Sequence, residues 1–282
     1  MTRLMIALAL AMPLWSSAAF PQDKPAFVFT AIPDQDETRL VERFTRVADY
    51  LQGRLGLPVK YLPVKSYPAA VTAFTNGQVQ LAWFGGFTGV QARRQVAGSE
   101  AIAQGAEDVA FKSFFIANTK TGLAPSKEFP KAIAGKSFTF GSRASTSGRL
   151  MPEYFVRSAF GRGPEEVFSR VGFSGDHSRT IQLVQSGAYE VGALDFSVWE
   201  LDRKAGKLDP AQVTVIWETP TFPDYNGPCA ATSRRSMAPA SRTSSPRRCS
   251  PSTIRRSSIS LPARNSFLPR TPTTVPSRKS AR

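Results

Sequence analysis

The residues most able to do chemistry sit where apolar runs end and helical patterns begin. In "FGSRASTSGRL" (140–150) an apolar run closes at Gly141, and Ser142, Ser145, Thr146 and Ser147 lead through Gly148 into a helical pattern. A helix N-terminus offers unpaired N–H groups and the positive end of the macrodipole. Hydroxyl donors placed there complete a cradle for a tetrahedral anion. The same residues can equally make an ordinary helix cap. His177, the single histidine of the chain, stands just before a helix in "FSGDHSRT". It could donate to an oxyanion or be a plain surface or cap residue. Asp195 ends the run "VGALD", where an N-cap role is sufficient. Facing a cleft, its carboxylate would accept a proton from a ligand. That favours a protonated oxyanion, such as hydrogen phosphate or a phosphonate, over a sulfate-like dianion.

Two further stretches carry the same ambiguity. In "LAWFGGFTG" (81–89), Trp83 and Phe84 read as strand residues, while Gly85 and Gly86 let the backbone come close to something. In "IPDQDETRL" (32–40), Asp34, Asp36 and Glu37 can satisfy a helix N-terminus without a ligand, and Asp34-x-x-Glu37 resembles a capping box. The body has one His and no Cys, so no metal-ligand spacing exists and no cofactor motif is present. Ser145, His177 and Asp195 could be assembled into a hydrolase set, but no nucleophile elbow supports it.

To bring these loop ends together the chain needs parallel strands with helical returns. "AFVFTAIP" (26–33) reads as a buried strand. A helix over 37–56 follows, with Leu40, Val41, Phe44, Val47, Ala48 and Leu51 at three- and four-residue spacing and Gly56 as its stop. Strand 59–64, helix 67–77, strand 79–84 and helix 87–94 complete a βαβαβα series. "KSFFIANT" (112–119) is a further strand. A second series begins near Lys136, with strand 136–141, helix 148–160, helix 178–187, strand 191–195, helix 196–206 and strand 213–218. Two α/β series predict two lobes with a cleft, and open α/β sheets bind ligands at the carboxyl ends of their strands.

The net charge of +15 over 282 residues suggests a nucleic-acid partner until its distribution is read. Residues 1–227 hold 24 Lys and Arg against 21 Asp and Glu, whereas residues 228–282 hold 12 Lys and Arg and no acid. Arg3, the apolar run Leu4–Trp15 and the small residues to Ala19 predict a signal peptide over 1–19. The apolar run is short for an N-terminal anchor, the alternative reading.

The combination "IPDQDETRLVERF", "AWFGGFTGVQAR", "STSGRLMPEYF" and "GDHSRTIQLVQSGAYEVGALD" resembles the phosphate/phosphite/phosphonate-binding family of ABC-transporter periplasmic proteins, and within it a selenate-binding branch, from about residue 27 to Asn226. The resemblance implies a type II periplasmic-binding fold: two α/β lobes, a ligand cleft and hinge crossovers. It implies a non-enzymatic role, a small oxyanion ligand, a permease in the inner membrane as partner, and no nucleic acid. It places the anion on Ser145, Thr146 and Ser147, with His177 and Asp195 completing the pocket, Phe84 facing the ligand where phosphonate binders often carry tyrosine, and Ser142 and Asp34 beside them. The implied organisation is lobe one over 26–119, lobe two over 120–212 and a return crossover over 213–227. An exported hydrolase acting on an oxyanion ester and a basic-tailed nucleic-acid binder are the competing classes.

The family would continue past Asn226 with elements that finish lobe one. Residues 228–282 instead hold 13 Ser and 8 Pro with no amphipathic period. A one-base loss accounts for this. Codons for Asn-Trp-Pro-Val-Arg-Gly-Asp-Leu, read with one T deleted, give the "NGPCAATS" of residues 226–233. The tail is therefore expected to be frameshifted and disordered, leaving the C-terminal part of lobe one missing.

Overall fold

A computed structural model describes residues 25–229. The expected signal peptide and all but the first two residues of the basic tail lie outside the described residues. The first lobe opens with β1 (Phe27–Ala31), α1 (Glu37–Leu55), β2 (Val59–Tyr61), α2 (Tyr67–Thr75), β3 (Leu81–Trp83), α3 (Gly86–Gln95) and β4 (Glu100–Ala103). The second holds β5 (Ser113–Asn118), β6 (Ser137–Phe140), α4 (Met151–Phe160), α5 (Pro164–Val167), β7 (Arg170–Phe173), α6 (His177–Gln185), β8 (Val191–Asp195), α7 (Phe196–Lys204) and β9 (Val213–Glu218). The chain then returns to the first lobe as β10 (Gly227–Cys229).

The two sheets run β2-β1-β3-β10-β4 and β7-β6-β8-β5-β9. In each, the three strands that point their carboxyl ends at the cleft are parallel: β2, β1 and β3 in one, β7, β6 and β8 in the other. β10 lies antiparallel between β3 and β4, and β5 lies antiparallel between β8 and β9. The expected boundaries at 119/120 and 212/213 therefore shift. β5 and β9 both belong to the second sheet, and the crossings are residues 104–112 and 219–226. A fully buried strand such as β5 reads the same in either sheet, so its apolar content could not assign it. β10 begins at the last residue of the expected crossover and runs two residues into the segment assigned to a tail. Its pairing is a backbone ladder, which does not require the side chains of a native strand.

α1 shows why the local sequence folds as it does. Asp36, not Asp34, is its N-cap and accepts from the Arg39 N–H at 3.3 Å. Gly56 ends it in the left-handed conformation at φ 65°. Leu40, Phe44 and Ala48 are buried against Phe29 and Tyr61, with the Phe44 and Tyr61 rings stacked at 5.0 Å. Val41, expected on this face, is 40 % exposed because it lies at the rim of the cleft. The second lobe buries Phe115, Phe138, Phe140, Ile216 and Trp217 on one side of its sheet and Ile116, Ile181, Val184 and Leu194 on the other. The two crossings are bonded to each other: the N–H of Phe111 donates to the carbonyl of Phe222 and the reverse, both at 2.8 Å.

Candidate functional site

The carboxyl end of β6 runs into the Ser/Thr turn, and Thr146–Leu150 form a π-helical turn that opens α4. Ser145 caps it, accepting from the Gly148 N–H at 2.9 Å. Because this hydroxyl oxygen accepts from the backbone, its O–H can donate, and it is directed to the Tyr67 hydroxyl. The Thr146 hydroxyl oxygen accepts from the N–H of Phe87, in the first lobe, at 2.9 Å. The Ser147 hydroxyl is buried and leans toward the carboxyl of Asp224 without a well-formed hydrogen bond. Gly148 permits this packing: a Cβ there would lie 2.8 Å from Cε1 of His177 and 3.0 Å from the Ser145 hydroxyl oxygen.

His177 is the first residue of α6, which Asp176 caps by accepting from the Arg179 N–H at 2.7 Å. Its backbone N–H donates across the cleft to the carbonyl of Asp34 at 3.0 Å. Its Nδ1 accepts from the backbone N–H of Asp195 at 3.2 Å. An N–H aimed at Nδ1 places the ring proton on Nε2. That atom lies 3.4 Å from the hydroxyl of Tyr67. The Tyr67 hydroxyl is held well above its ordinary pKa, first by burial and then by the nearby Asp34 charge. It is a neutral donor at any physiological pH.

Asp195 is both the end of β8 and the N-cap of α7. Its Oδ1 accepts from the Ser197 N–H at 2.6 Å and more weakly from the Val198 N–H at 3.4 Å. Its Oδ2 accepts from the hydroxyl of Tyr225 at 3.1 Å. The return crossing thus enters the site through two consecutive residues. Asp224, beside Tyr225, accepts from the Gly86 N–H at 2.8 Å. Burial pushes the Asp224 carboxyl up to about 7; the Gly86 N–H and the Thr146 hydroxyl pull it down, and repulsion from Asp195 adds to the rise. Gly85 and Gly86 serve the close approach expected of them, since a Cβ on Gly85 would sit 3.2 Å from the Asp224 carboxylate oxygen and 3.3 Å from the Thr146 hydroxyl.

Ser145, Thr146, Ser147, His177 and Asp195 are thus brought into one buried cluster, with Asp34 tied to it through its carbonyl. Ser142 stands at its edge: its hydroxyl oxygen accepts from the Ala144 N–H, and it lines a cavity of about 400 Å³ at the cleft mouth with Tyr61, Tyr67, Asp36 and Asp176. Phe84 is fully buried in the first-lobe core, edge-on to Phe74 at 5.8 Å, in the cluster that also holds Tyr67 and Tyr225. Tyr67, Asp224 and Tyr225 were not expected from the sequence. The cluster does not have the polarity of a hydrolytic triad, in which a carboxylate accepts from the imidazole Nδ1–H. Here Nδ1 is itself the acceptor and the Asp195 carboxylate is turned to other donors.

Residues 29–238 match the family model of periplasmic phosphonate substrate-binding proteins of ABC transporters. The "Probable ABC transporter phosphite binding protein PhnD1" of Prochlorococcus marinus (strain MIT 9301) is 41 % identical over 224 residues, covering 79 % of this chain and 75 % of that protein. The "Phosphate-import protein PhnD" of Mycolicibacterium smegmatis is 25 % identical over 228 residues, covering 73 % of this chain and 70 % of that protein. The solved structure of the Prochlorococcus marinus PhnD1 in complex with methylphosphonate superposes with a TM-score of 0.72 at 40 % identity, covering 77 % of this chain and 80 % of that one. With two α/β lobes joined by paired crossings and a buried polar cluster where strand ends of both meet, this chain belongs to the phosphonate-binding family of periplasmic substrate-binding components of ABC transporters, proteins of the type II periplasmic-binding fold that capture a solute and are not enzymes.

Proposed function

We propose that the chain captures a small phosphorus oxyanion of the phosphonate, phosphite or phosphate class in the periplasm and hands it to an inner-membrane permease. The observation that carries this reading is the make-up of the buried cluster: neutral donors from both lobes (the hydroxyls of Ser145, Thr146, Ser147 and Tyr67 and the Nε2–H of His177) set against the carboxyls of Asp195 and Asp224, with no lysine or arginine among the described buried residues. Such a set stabilises an anion through hydrogen bonds rather than through a fixed cation. A carboxylate in it must accept a proton from the ligand or repel it. A monoprotonated phosphorus oxyanion meets that demand, whereas sulfate and selenate, fully ionised at neutral pH, do not. The selenate-binding reading of the sequence is weakened on this ground. The relatives named above point the same way, one by the phosphite in its name and another by the phosphate it imports.

Closure follows from which bonds cross the cleft. The Phe87 N–H to Thr146, the His177 N–H to the Asp34 carbonyl and the Tyr67–His177 contact join the lobes, while the Phe111–Phe222 pairing marks the hinge. Opening would break the first three and expose the donors to a solute. Export through the segment 1–19 belongs to the same proposal.

The test is calorimetric titration of the purified chain with methylphosphonate, phosphite, phosphate, sulfate and selenate at pH 7. The phosphorus anions should bind at least roughly 100-fold more tightly than the two dianions, the scale on which a site built for a ligand hydroxyl rejects a ligand lacking it. A paired Ser145→Ala, Thr146→Ala variant should weaken that binding. Equal or tighter selenate binding, or no binding of any phosphorus anion, overturns the reading.

A further inference from the structure

α7 begins beside the hinge and points away from it. The ring of Phe196, its first residue, lies 4.8 Å edge-on from that of Phe111 in the outward crossing. Asp202 sits six residues along the helix, about 9 Å further out by helical rise. There its carboxylate meets the guanidinium of Arg39, in the first turn of α1 in the opposite lobe, at 2.5 Å. The Asp202 side chain is only 5 % exposed and the Arg39 side chain 25 % exposed. Lys65–Glu37 stays within the first lobe, and Lys136–Glu190, Arg149–Glu153 and Arg203–Glu200 stay within the second.

An ion pair that is buried only while two lobes are together has a particular energetic consequence. In the open state both partners regain water. In the closed state the carboxylate is dry and depends on its single well-placed guanidinium. Neither residue is part of the oxyanion cluster. We infer that Arg39 and Asp202 form an interlobe latch that holds the closed state and thereby sets how slowly a captured oxyanion leaves. They are positioning residues, acting on the ligand through the lobe closure that buries it. This rests on the reading that the chain closes on an oxyanion.

The latch predicts a definite split in kinetics. With methylphosphonate as the probe, Arg39→Ala and Asp202→Ala should each raise the dissociation rate about tenfold or more, with association changed less than about twofold. Arg39→Ala should have the larger effect, because it leaves a buried carboxylate without its cation, whereas Asp202→Ala leaves a guanidinium able to reach water. The reversed pair, Arg39→Asp with Asp202→Arg, should recover most of the wild-type dissociation rate. An electrostatic guide for incoming anions would instead lower association in Arg39→Ala and leave or raise it in Asp202→Ala. That pattern overturns the latch, as do dissociation rates equal to wild type in both variants. If the wild-type chain does not bind methylphosphonate, the proposed function fails separately. Small-angle scattering of the ligand-free chain then decides the latch: Arg39→Ala must enlarge the radius of gyration, and an unchanged radius overturns it.

Discussion

The backbone N–H of Asp195 points at Nδ1 of His177 from 3.2 Å. One hydrogen bond therefore joins a strand end to a helix start and decides which ring nitrogen carries the proton. It follows that the two nitrogens can be separated by substitution. An asparagine at 177 can offer its side-chain oxygen where Nδ1 stands but cannot reach as far as Nε2. His177→Asn should keep the melting temperature within a few degrees and weaken methylphosphonate binding by about 1–2 kcal/mol, the scale of one lost neutral hydrogen bond. His177→Ala should do both kinds of damage, since it also leaves the buried Asp195 N–H without an acceptor. Thermal melts and calorimetry on the two variants check this.

Gly148 lets the Ser/Thr turn and the imidazole share one small volume. An alanine there would place its methyl 2.8 Å from the His177 ring and 3.2 Å from the Cα of Gly141. Neither neighbour is the end of a flexible chain, so the ring or the turn must move. Gly148→Ala should cost about 1–3 kcal/mol of stability, as overpacking does. It should also reduce binding by more than His177→Asn does, because it displaces the hydroxyl donors as well as the ring.

The Phe87 N–H to Thr146 hydroxyl bond crosses the cleft, so its loss should register in the closed state. Thr146→Val keeps the shape and removes the acceptor, leaving a half-buried N–H unpaired for about 1–3 kcal/mol. Thr146→Ser keeps the hydroxyl and should stay near wild type. The expected signature is weaker methylphosphonate binding for valine only, read by calorimetry on the two variants.

What the sequence made legible follows from where each residue sits. Ser145–Ser147, His177 and Asp195 each stand at a strand end or a helix start, where the switch from apolar run to helical period marks the spot. Tyr67 does not announce itself: in "YPAAVTAFTNG" it reads as one more apolar helix residue, and its hydroxyl matters only because the first residue of α2 meets the first residue of α6 of the other lobe. Asp224 and Tyr225 lie in "TFPDYNG", which has the composition of a turn, and only the return crossing carries them into the cleft. The signal for them was the crossover itself, a buried acid beside an aromatic in a segment that must thread the hinge. β4 escaped notice because "EAIA" is largely exposed and has no alternation, and β10 because a three-residue strand rests on its ladder partners rather than on its own pattern. The β5 and β9 boundaries failed for the same reason: sheet membership is a property of pairing, not of composition.

Asp224 gives the sharpest test, because one substitution should move stability and selectivity in opposite senses. Its carboxyl titrates at about 7 in the folded chain against 3.8 ordinarily, chiefly through burial. A raised carboxyl pKa means that the folded state holds a proton the unfolded state has lost. The contribution is fully present below pH 3.8 and is lost as pH rises through about 7. The ionised group then burdens the fold by roughly 4 kcal/mol at most. Asp224→Asn removes the titration and can still accept from the Gly86 N–H. It should therefore raise the melting temperature at pH 8 and change it little at pH 4. The same substitution replaces a proton acceptor by an amide donor in the cluster proposed to hold the anion. Binding of methylphosphonate at pH 7 should weaken, while sulfate and selenate, no longer repelled, should gain on it by about tenfold or more. A variant that is no more stable at pH 8 than wild type would show that the carboxyl is not held dry. A variant that keeps its preference for phosphorus anions would show that another group reads the ligand's proton.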